Sequence, residues 1–336
     1  MSSSRFVDDS LVDEAVRLLS GGDVVALPTE TVYGLAANAF NEDAVNRVFQ
    51  VKGRPLIDPL IVHIGNLDQL DSIAESNLAH VDVLVRAFWP GPLTLILNKK
   101  PCISDRVTAG KSTVAVRMPN HPLALDVLKK CNFPVAAPSA NPFGYVSPTR
   151  AEHVQDSLGD KVSLILDGGP CEKGLESTIV DLTADCPKLL RPGPIDKASL
   201  EAVCQAPISV KEAHSDPGRS SGETAPGSLY KHYSPKARLV LVDTETAVEG
   251  FVKEAAHGKT AYVSLYRTAQ HPELSQRCDS VWLSEKPGDL HEVARQVFHV
   301  LRTLDKQGYA LIFFEKPPMQ GVGLAINDRL KRAAAV

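Results

Sequence analysis

A stretch rich in proline, glycine and serine divides this chain of 336 residues and constrains its fold more than any other feature. Residues 205–236 contain four prolines, three glycines and six serines, and they show little apolar periodicity. Such a composition is typical of a linker, because it offers no continuous apolar face to bury. The sequence therefore predicts a first domain over residues 1–204, a linker over 205–236 and a second domain over 237–336.

Apolar periodicities of the helical and the strand kind fill the segments on both sides of this linker. Before it, they predict helices over 10–19, 41–51, 78–88 and 122–130 and strands over 23–27, 60–64, 93–97, 113–117, 134–136, 162–166 and 178–182, with Ser10 capping the first helix. After it, they predict strands over 237–242, 260–264, 280–283 and 310–314 and helices over 246–256, 290–306 and 321–335. We expect an α/β or α+β first domain and a smaller α/β second domain with a largely parallel sheet.

Composition and charge argue against several classes of protein. Hydrophobic residues make up 43% of the chain, enough for a normal core, yet no run approaches the roughly 20 apolar residues of a membrane helix. The formal net charge of −4 is not that of a protein that grips nucleic acid over a wide surface. The first ten residues are too polar for a signal peptide, and the six cysteines are scattered without metal-ligand spacing. We expect a cytoplasmic protein with reduced thiols, no metal site of its own and no stable direct binding to nucleic acid.

Two polar segments of the first domain follow or precede predicted strands. PTETVYGL (28–35) comes directly after an apolar strand, and its hydroxyl groups can bind a small polar ligand or cap the next helix. In KGRP (52–55), Lys52 and Arg54 can grip a phosphate or carboxylate, or they can stabilise the dipole of the preceding helix. His63, at the end of the following strand, is either a ligand-binding residue or a core histidine.

Two later segments have the same character. SANP (139–142), with Ser147 beyond it, can donate hydrogen bonds to anionic oxygens or form a proline-terminated turn. In GLESTIVDL, Ser177 opens a predicted strand, and Arg191 ends the apolar run before Pro-Gly-Pro. Arg191 is either a surface residue on a turn or an anion contact, and Arg117 supplies a further cation. None of these segments decides the function alone.

Taken in order, the motifs resemble those of the YrdC/Sua5 family. The segments that carry the resemblance are PTETVYGL, KGRP followed by PLIVHI, FWPGPLT, VAVRMPNHP, APSANPFGYVSPT and ESTIVD, over about residues 10–200. The linker sequence APGSLYKHYSP (225–235) and the second domain resemble the longer, Sua5-type members. This resemblance implies that the linker over 205–236 folds as a lid over the active site. The resemblance implies a YrdC-like domain with a twisted mixed sheet and a smaller, Rossmann-like C-terminal α/β domain.

The resemblance also implies an activity. Members of this family condense L-threonine, bicarbonate or CO₂, and ATP into threonylcarbamoyl-AMP and pyrophosphate. A separate complex then transfers the threonylcarbamoyl group to adenosine 37 of tRNA. Such a synthase needs no covalent nucleophile, because positioning and charge stabilisation can promote the reaction. We expect Mg²⁺ to arrive on ATP and not in a protein cage.

Particular residues match family positions. Those that match threonine-binding positions are Thr31, His63, Arg117, Ala137 and Ser177. Those that match ATP-binding positions are Arg54, Asp58, Thr113, Ser139, Ser147, Arg191 and the linker residue Tyr230, and the catalytic set comprises Lys52, Arg54, Ser139 and Asn141. Many relatives carry asparagine where this chain has Asp58. A carboxylate beside a triphosphate is unfavourable unless it meets a cation, a ribose hydroxyl or Mg²⁺.

Two other functions are open at the level of sequence. Related domains have a concave basic surface that could hold double-stranded RNA, which would make the chain an RNA-binding module without synthase activity. The pI of about 6.2 and the absence of an aromatic stacking platform weigh against this function. A carbamoyl-transferring accessory enzyme would use the same domain, but it requires zinc-finger or acylphosphatase-like segments that the sequence lacks.

Overall fold

The computed structural model describes residues 9–78, 80–210, 233–243, 258–267 and 278–335. The helix predicted over 246–256 and the predicted ATP ligand Tyr230 lie outside these ranges. Within them, the chain forms two α/β units, one on each side of the proline-rich stretch. No helix in the described ranges is both long enough and apolar enough to cross a membrane.

Most of the helices and strands that the sequence predicts lie in the first unit. Its helices are α1 (Asp9–Ser20), α2 (Glu42–Lys52), α3 (Leu67–Ile73), α4 (Val81–Phe88), α5 (Asp105–Thr108), α6 (Pro122–Lys130), α7 (Ala151–Leu158) and α8 (Lys197–Cys204). Its strands are β1 (Val25–Leu27), β2 (Gly34–Asn38), β3 (Ile61–His63), β4 (Leu93–Asn98), β5 (Thr113–Arg117), β6 (Val135–Ala136), β7 (Leu164–Ile165), β8 (Thr178–Asp181), β9 (Lys188–Arg191) and β10 (Ser209–Val210). The bounds predicted for α6 and β5 are confirmed.

These strands form one ten-stranded sheet in the order β10-β9-β8-β4-β5-β3-β6-β2-β1-β7. β3 is parallel to β5 and β4 is parallel to β8, whereas β4 and β5 are antiparallel, so the mixed sheet is confirmed. The short strand β10 pairs with β9 and carries the sheet into the range predicted for the linker. The domain limits at 204 and 236 stay a prediction.

The second unit consists of β11 (Arg238–Val242), β12 (Thr260–Tyr266), β13 (Asp279–Ser284), α9 (Leu290–Lys306), β14 (Leu311–Glu315) and α10 (Val322–Ala333). Its sheet has the order β11-β14-β12-β13, and every pairing in it is parallel. The predicted parallel α/β domain is therefore confirmed. The 17-residue helix α9 has the bounds that its apolar periodicity predicts, and it buries Val297, Phe298 and Leu301 on one face.

The ends of the helices determine where two cationic residues of the motifs, Lys52 and Arg54, lie. The cap predicted at Ser10 is wrong, because α1 begins at Asp9 and contains Ser10. Asn41 does cap α2, since its Oδ1 accepts from the backbone N–H groups of the first turn. Gly53, with a φ of 62°, ends α2 in the left-handed conformation and turns the chain sharply between Lys52 and Arg54.

Loops of the first domain insert apolar side chains into the core of the second. Val32, Val146 and Leu175 belong to the same buried cluster as Phe298 of α9. Arg302, also on α9, donates to Val146 O at 2.6 Å. Each of these loops carries a sequence motif, so the second domain supports the part of the first domain where the candidate site residues lie.

Candidate active site

A cavity on one face of the ten-stranded sheet brings the sequence motifs together. His63 on β3 and Arg117 on β5 are partners in a parallel ladder, and such partners point to the same face of a sheet. The cavity is lined by Thr29, Thr31, Val32, Gly34, Arg54, Pro59, Ile61, His63, Arg117, Ala137, Pro138, Ser139, Glu176, Ser177, Arg191 and Tyr233. The predicted site residues among them are Thr31, Arg54, His63, Arg117, Ala137, Ser139, Ser177 and Arg191.

Arg117 is held by a carboxylate that the site prediction omits. Its Nη2 lies 2.7 Å from Oε1 of Glu30, and both side chains are almost fully buried. Its Nε donates to Gly91 O at 3.2 Å. Burial and the neighbouring Arg117 guanidinium lower the pKa of His63 to about 3. The cavity therefore presents a fixed guanidinium beside a neutral imidazole, which suits a ligand carboxylate together with a hydroxyl group.

Arg54 folds the following loop around its own guanidinium. It donates to Asp58 O at 3.1 Å and to Pro59 O at 2.8 Å, and it forms a buried ion pair of 2.9 Å with Asp58 Oδ2. Burial lowers the pKa of Arg54, whereas the Asp58 carboxylate opposes this effect. Asp58 thus meets a cation, which is one of the conditions under which a carboxylate is tolerated close to a triphosphate.

Lys52 supports the SANP segment through its side-chain ammonium group. Its Nζ donates to Ser139 O and to Asn141 O, both at 2.6 Å, and the side chain does not line the cavity. Burial, followed by the Arg54 charge, lowers the pKa of Lys52 well below its ordinary value. Asn141 donates to Pro142 O and Tyr145 O, while its buried Oδ1 has no hydrogen-bond partner within the described residues. An unsatisfied buried acceptor of this kind is rare and indicates a place for a ligand or water.

Ser177 and Arg191 form a second rigid unit at the start of β8. Arg191 donates to Ser177 O at 3.0 Å and to Ser177 Oγ at 3.1 Å, and Ser177 Oγ also shares a hydrogen bond of 2.7 Å with Thr94. Burial lowers the pKa of Arg191 to about 10. Ser147 lies outside the cavity lining and donates to Glu176 Oε1 at 2.6 Å. The ESTIVD segment therefore joins the serine and arginine residues that the family positions assign to threonine and ATP.

Tyr233 closes one side of the cavity. It is 1% exposed, it has a φ of 64°, and its ring stacks on Phe298 of α9 at 5.5 Å. Burial and the nearby Glu176 raise its pKa to about 12, so the hydroxyl group stays protonated. A tyrosine rarely adopts a positive φ, and such strained residues cluster at functional sites. The end of the APGSLYKHYSP segment thus reaches the cavity.

Not every predicted residue faces the cavity. Lys52, Asp58 and Ser147 lie directly behind lining residues and contact Ser139, Arg54 and Glu176, respectively. Asn141 also lies outside the lining, and its side chain donates to Pro142 O and Tyr145 O. Thr113 lies at the opposite end of β5 from Arg117, about 13 Å along the strand, and pairs with Asn98 across the ladder. Ala137 lines the cavity, but its N–H donates to Ile61 O, so a ligand contact there would use the carbonyl group.

Several lining residues are absent from the sequence prediction. Thr29 and Glu176 stand inside motifs that the sequence singles out, and Tyr233 stands three positions after the predicted Tyr230. A search for buried polar side chains would find Thr29 and Glu176, which are 5% and 7% exposed. Burial of this kind depends on contacts across the fold, so neighbouring residues in the sequence carry no signal for it.

The two most perturbed histidines predict how stability changes with pH. His63 and His153 both have a pKa lowered to about 3, mainly by burial. Because an unfolded histidine titrates near 6.5, the unfolded chain binds these protons first, and each residue removes about 1.4 kcal/mol of stability per pH unit as the pH falls below about 6.5. His63→Gln and His153→Gln should each make the urea midpoint less sensitive to pH between about 6 and 4.5. His291→Gln, at an exposed position of α9, is the control; equal slopes in all variants would contradict this prediction.

Comparisons with known proteins identify the family of the chain. The family model described as "Telomere recombination" matches residues 17–193, and the model described as "Threonylcarbamoyl-AMP synthase, C-terminal domain" matches residues 195–335. The threonylcarbamoyl-AMP synthase of Bacillus subtilis is 42% identical over 97% of this chain and 94% of its own length. That of Pyrococcus abyssi is 38% identical over 98% of this chain and 96% of its own length. The crystal structure of P. abyssi Sua5 complexed with L-threonine superposes with a TM-score of 0.87 at 36% identity, over 98% of this chain and 95% of that one.

Both domains, their order and nearly the full length are thus shared with these relatives, and the motif residues converge on one cavity of the first domain. The chain belongs to the family of two-domain, Sua5-type threonylcarbamoyl-AMP synthases.

Proposed function

We propose that this synthase joins L-threonine, bicarbonate or CO₂, and ATP within the cavity described above. The observation that carries the proposal is the convergence of Arg54, Arg117 and Arg191 on one cavity in a chain with full-length similarity to known synthases. Threonine has a carboxylate, ATP has a triphosphate and bicarbonate is itself an anion. Arginine binds carboxylate and phosphate through two parallel hydrogen bonds, so three fixed guanidinium groups can hold three anions in defined positions.

Threonine belongs on the Arg117 side of the cavity. The guanidinium of Arg117 binds the carboxylate, and the neutral His63 and Ser177 can bond the hydroxyl or amino group of the amino acid. Glu30 fixes the direction of Arg117 and offsets its charge in the absence of ligand. The P. abyssi relative has been crystallised with L-threonine, which supports an amino-acid site in this fold.

ATP belongs on the side of Arg54, Ser139 and Arg191, with Lys52 behind Ser139. The triphosphate carries Mg²⁺ into the cavity as part of the substrate. Within the described ranges, no group of three or more histidine, cysteine, aspartate or glutamate side chains is placed to hold a metal ion. The Arg54 guanidinium stabilises the negative charge that develops on the phosphate oxygens, while the loop around it keeps the group rigid.

The chemical steps occur between the substrates. The threonine nitrogen attacks the carbon of CO₂ and loses a proton to become a carbamate. With bicarbonate as the substrate, that proton leaves together with the displaced hydroxide as water. A carbamate oxygen then attacks the α-phosphorus of ATP, and the bond to pyrophosphate breaks. The chain's own residues hold the three molecules in line and keep water away from the mixed anhydride, and Tyr233 covers one side of the cavity. The lid expected of the linker falls mainly on residues 211–232, which lie outside the described ranges, and it stays a prediction. The product passes to a separate tRNA threonylcarbamoyl-transfer complex, and the proposed location is the cytoplasm, where these substrates and tRNA meet.

Pyrophosphate release tests this proposal directly. Purified protein with MgATP, L-threonine and bicarbonate should release pyrophosphate only when all three substrates are present, and mass spectrometry should detect threonylcarbamoyl-AMP. Omission of any one substrate is the control. Release that does not require threonine would contradict the proposal, and retention of double-stranded RNA without nucleotide turnover would favour the RNA-binding alternative.

A further inference from the structure

The second domain contributes a buried cation directly behind the ATP side of the cavity. Arg329 on α10 is fully buried, yet it is not one of the residues that line the cavity. Its Nε donates to Glu176 Oε2 at 2.8 Å, its Nη2 donates to Glu176 O at 3.3 Å, and its Nη1 donates to Pro192 O at 2.9 Å. Nη1 also pairs with Asp328 Oδ2 at 2.8 Å, and the guanidinium lies 5.7 Å from the ring centre of Tyr233.

These bonds reach two loops that carry ATP-side residues. Glu176 uses its second oxygen, Oε1, to accept from Ser147 Oγ at 2.6 Å, so Arg329, Glu176 and Ser147 form one hydrogen-bonded chain. Pro192 directly follows Arg191, the last residue of β9, so the bond to its carbonyl group fixes the end of the strand that carries the Arg191 side chain. One guanidinium group from the second domain thus fixes the positions of two separate segments of the first domain relative to each other.

Arg117, the residue assigned to the threonine carboxylate, has support of its own within the first domain, because it is paired with Glu30 and donates to Gly91 O. Ser177 shares a hydrogen bond with Thr94 in addition to those that it accepts from Arg191. For Ser147, the hydrogen bond to Glu176 is the side-chain contact that fixes its hydroxyl group. Disturbing Arg329 should therefore affect the residues assigned to ATP more than those assigned to threonine.

We propose that Arg329 is a positioning residue of the synthase reaction, which acts through Glu176 on Ser147 and through Pro192 on Arg191 to form the ATP site. The inference rests on the proposed function of the cavity and gives the second domain a part in it. A buried ionic group of this kind can also serve only to stabilise the folded structure. In that case, its loss would lower stability without changing the KM for ATP more than the KM for threonine.

Steady-state kinetics separate these two roles. In Arg329→Gln, the KM for ATP should rise about tenfold or more, the loss expected for a hydrogen bond to a charged group. The KM for threonine should change less, within about twofold, because Arg117 keeps its own partners Glu30 and Gly91. Lys306→Ala is the matched control, because it removes an exposed ion pair of 2.7 Å between α9 and Asp156 that touches no cavity loop. Its two KM values should equal those of the wild type.

A double-mutant cycle tests the route of the effect. If Arg329 acts through Ser147, Arg329→Gln should raise the KM for ATP only about twofold in a protein that already carries Ser147→Ala. The part of the effect that acts through Pro192 is retained in this background. Arg329→Lys keeps the charge but cannot bridge Glu176 and Pro192, so its KM for ATP should lie between those of the wild type and Arg329→Gln. A full additive effect in the cycle would overturn the relay through Ser147.

Folding is monitored by far-ultraviolet circular dichroism. If Arg329→Gln does not fold, the charge-balanced variant Arg329→Gln/Glu176→Gln replaces it, with the same expected rise in the KM for ATP. Equal changes in both KM values, unchanged values, or failure of both variants to fold would assign the arginine to structure alone and overturn the proposal. Absence of three-substrate turnover in the wild type is a different result, since it would refute the proposed function itself.

Discussion

Removing Arg54 together with its partner charge should reduce kcat about 10²- to 10³-fold, the loss typical of one donor that stabilises charge in a transition state. The variant is Arg54→Ala/Asp58→Asn. Arg54→Ala alone also takes the arginine partner from Asp58, which is 2% exposed, and breaking a buried ion pair costs about 3–5 kcal/mol of stability. The double variant removes both charges, so a loss of turnover can be assigned to the missing guanidinium and not to unfolding.

The single variant Asp58→Asn provides the contrast. Asparagine keeps the shape of the loop and can still accept from Arg54, while the carboxylate no longer offsets the guanidinium charge. We therefore expect turnover to persist and the KM for ATP to fall. Arg47→Ala, which removes an exposed arginine of α2 paired with Asp23, should leave pyrophosphate release unchanged. If the double variant retains turnover close to that of the wild type, Arg54 does not act on the triphosphate.

Elements with strong local signals are the ones that the sequence predicts well. α6 has Pro122 at its first position and a helical apolar period, and α9 has a single continuous apolar face. β2 is missing from the prediction, because its residues Gly34–Asn38, apart from Leu35, are small or polar and have weak strand propensity. Its strand conformation comes from pairing with β1 on one side and β6 on the other, and these contacts are not visible in the segment itself.

The same distinction applies to the site. The cations of the motifs are visible in the sequence, and Arg54, Arg117 and Arg191 all reach the cavity. Asp58, the partner of Arg54, lies in the same motif, but the pairing of Glu30 with Arg117 is not visible in the sequence. The same holds for the ion pair of Glu176 with Arg329, which joins residues 153 positions apart. No local pattern records such a pair, and only the packing of the second domain on the first brings it together. Tyr230 stays a prediction for the ATP site, since it lies outside the described residues.

The contact between the domains leads to the second large effect, which is expected for Gly174→Ala. Gly174 has a φ of 71°, and a Cβ atom there would lie 2.4 Å from Cα and 2.7 Å from O of Arg295, both in the backbone of α9. The left-handed conformation costs an alanine about 1–2 kcal/mol, and forcing the two backbones apart adds about 1–3 kcal/mol. We expect a lower denaturation midpoint and, because Glu176 and Ser177 move with this loop, a loss of turnover of roughly 10²-fold.

Gly308→Ala separates these two costs. Gly308 has a similar φ of 76°, but a Cβ atom there would meet no other atom of the described residues within 4 Å. Alanine at this position therefore costs only the free energy of the left-handed conformation. It should lower stability by about 1–2 kcal/mol and leave pyrophosphate release unchanged. Equal kinetics in the two variants would mean that the close approach of α9 does not set the geometry of the ESTIVD loop. A selective loss in Gly174→Ala would instead show that the second domain acts on catalysis through the backbone contact as well as through Arg329, since Gly174 is not one of the residues that line the cavity.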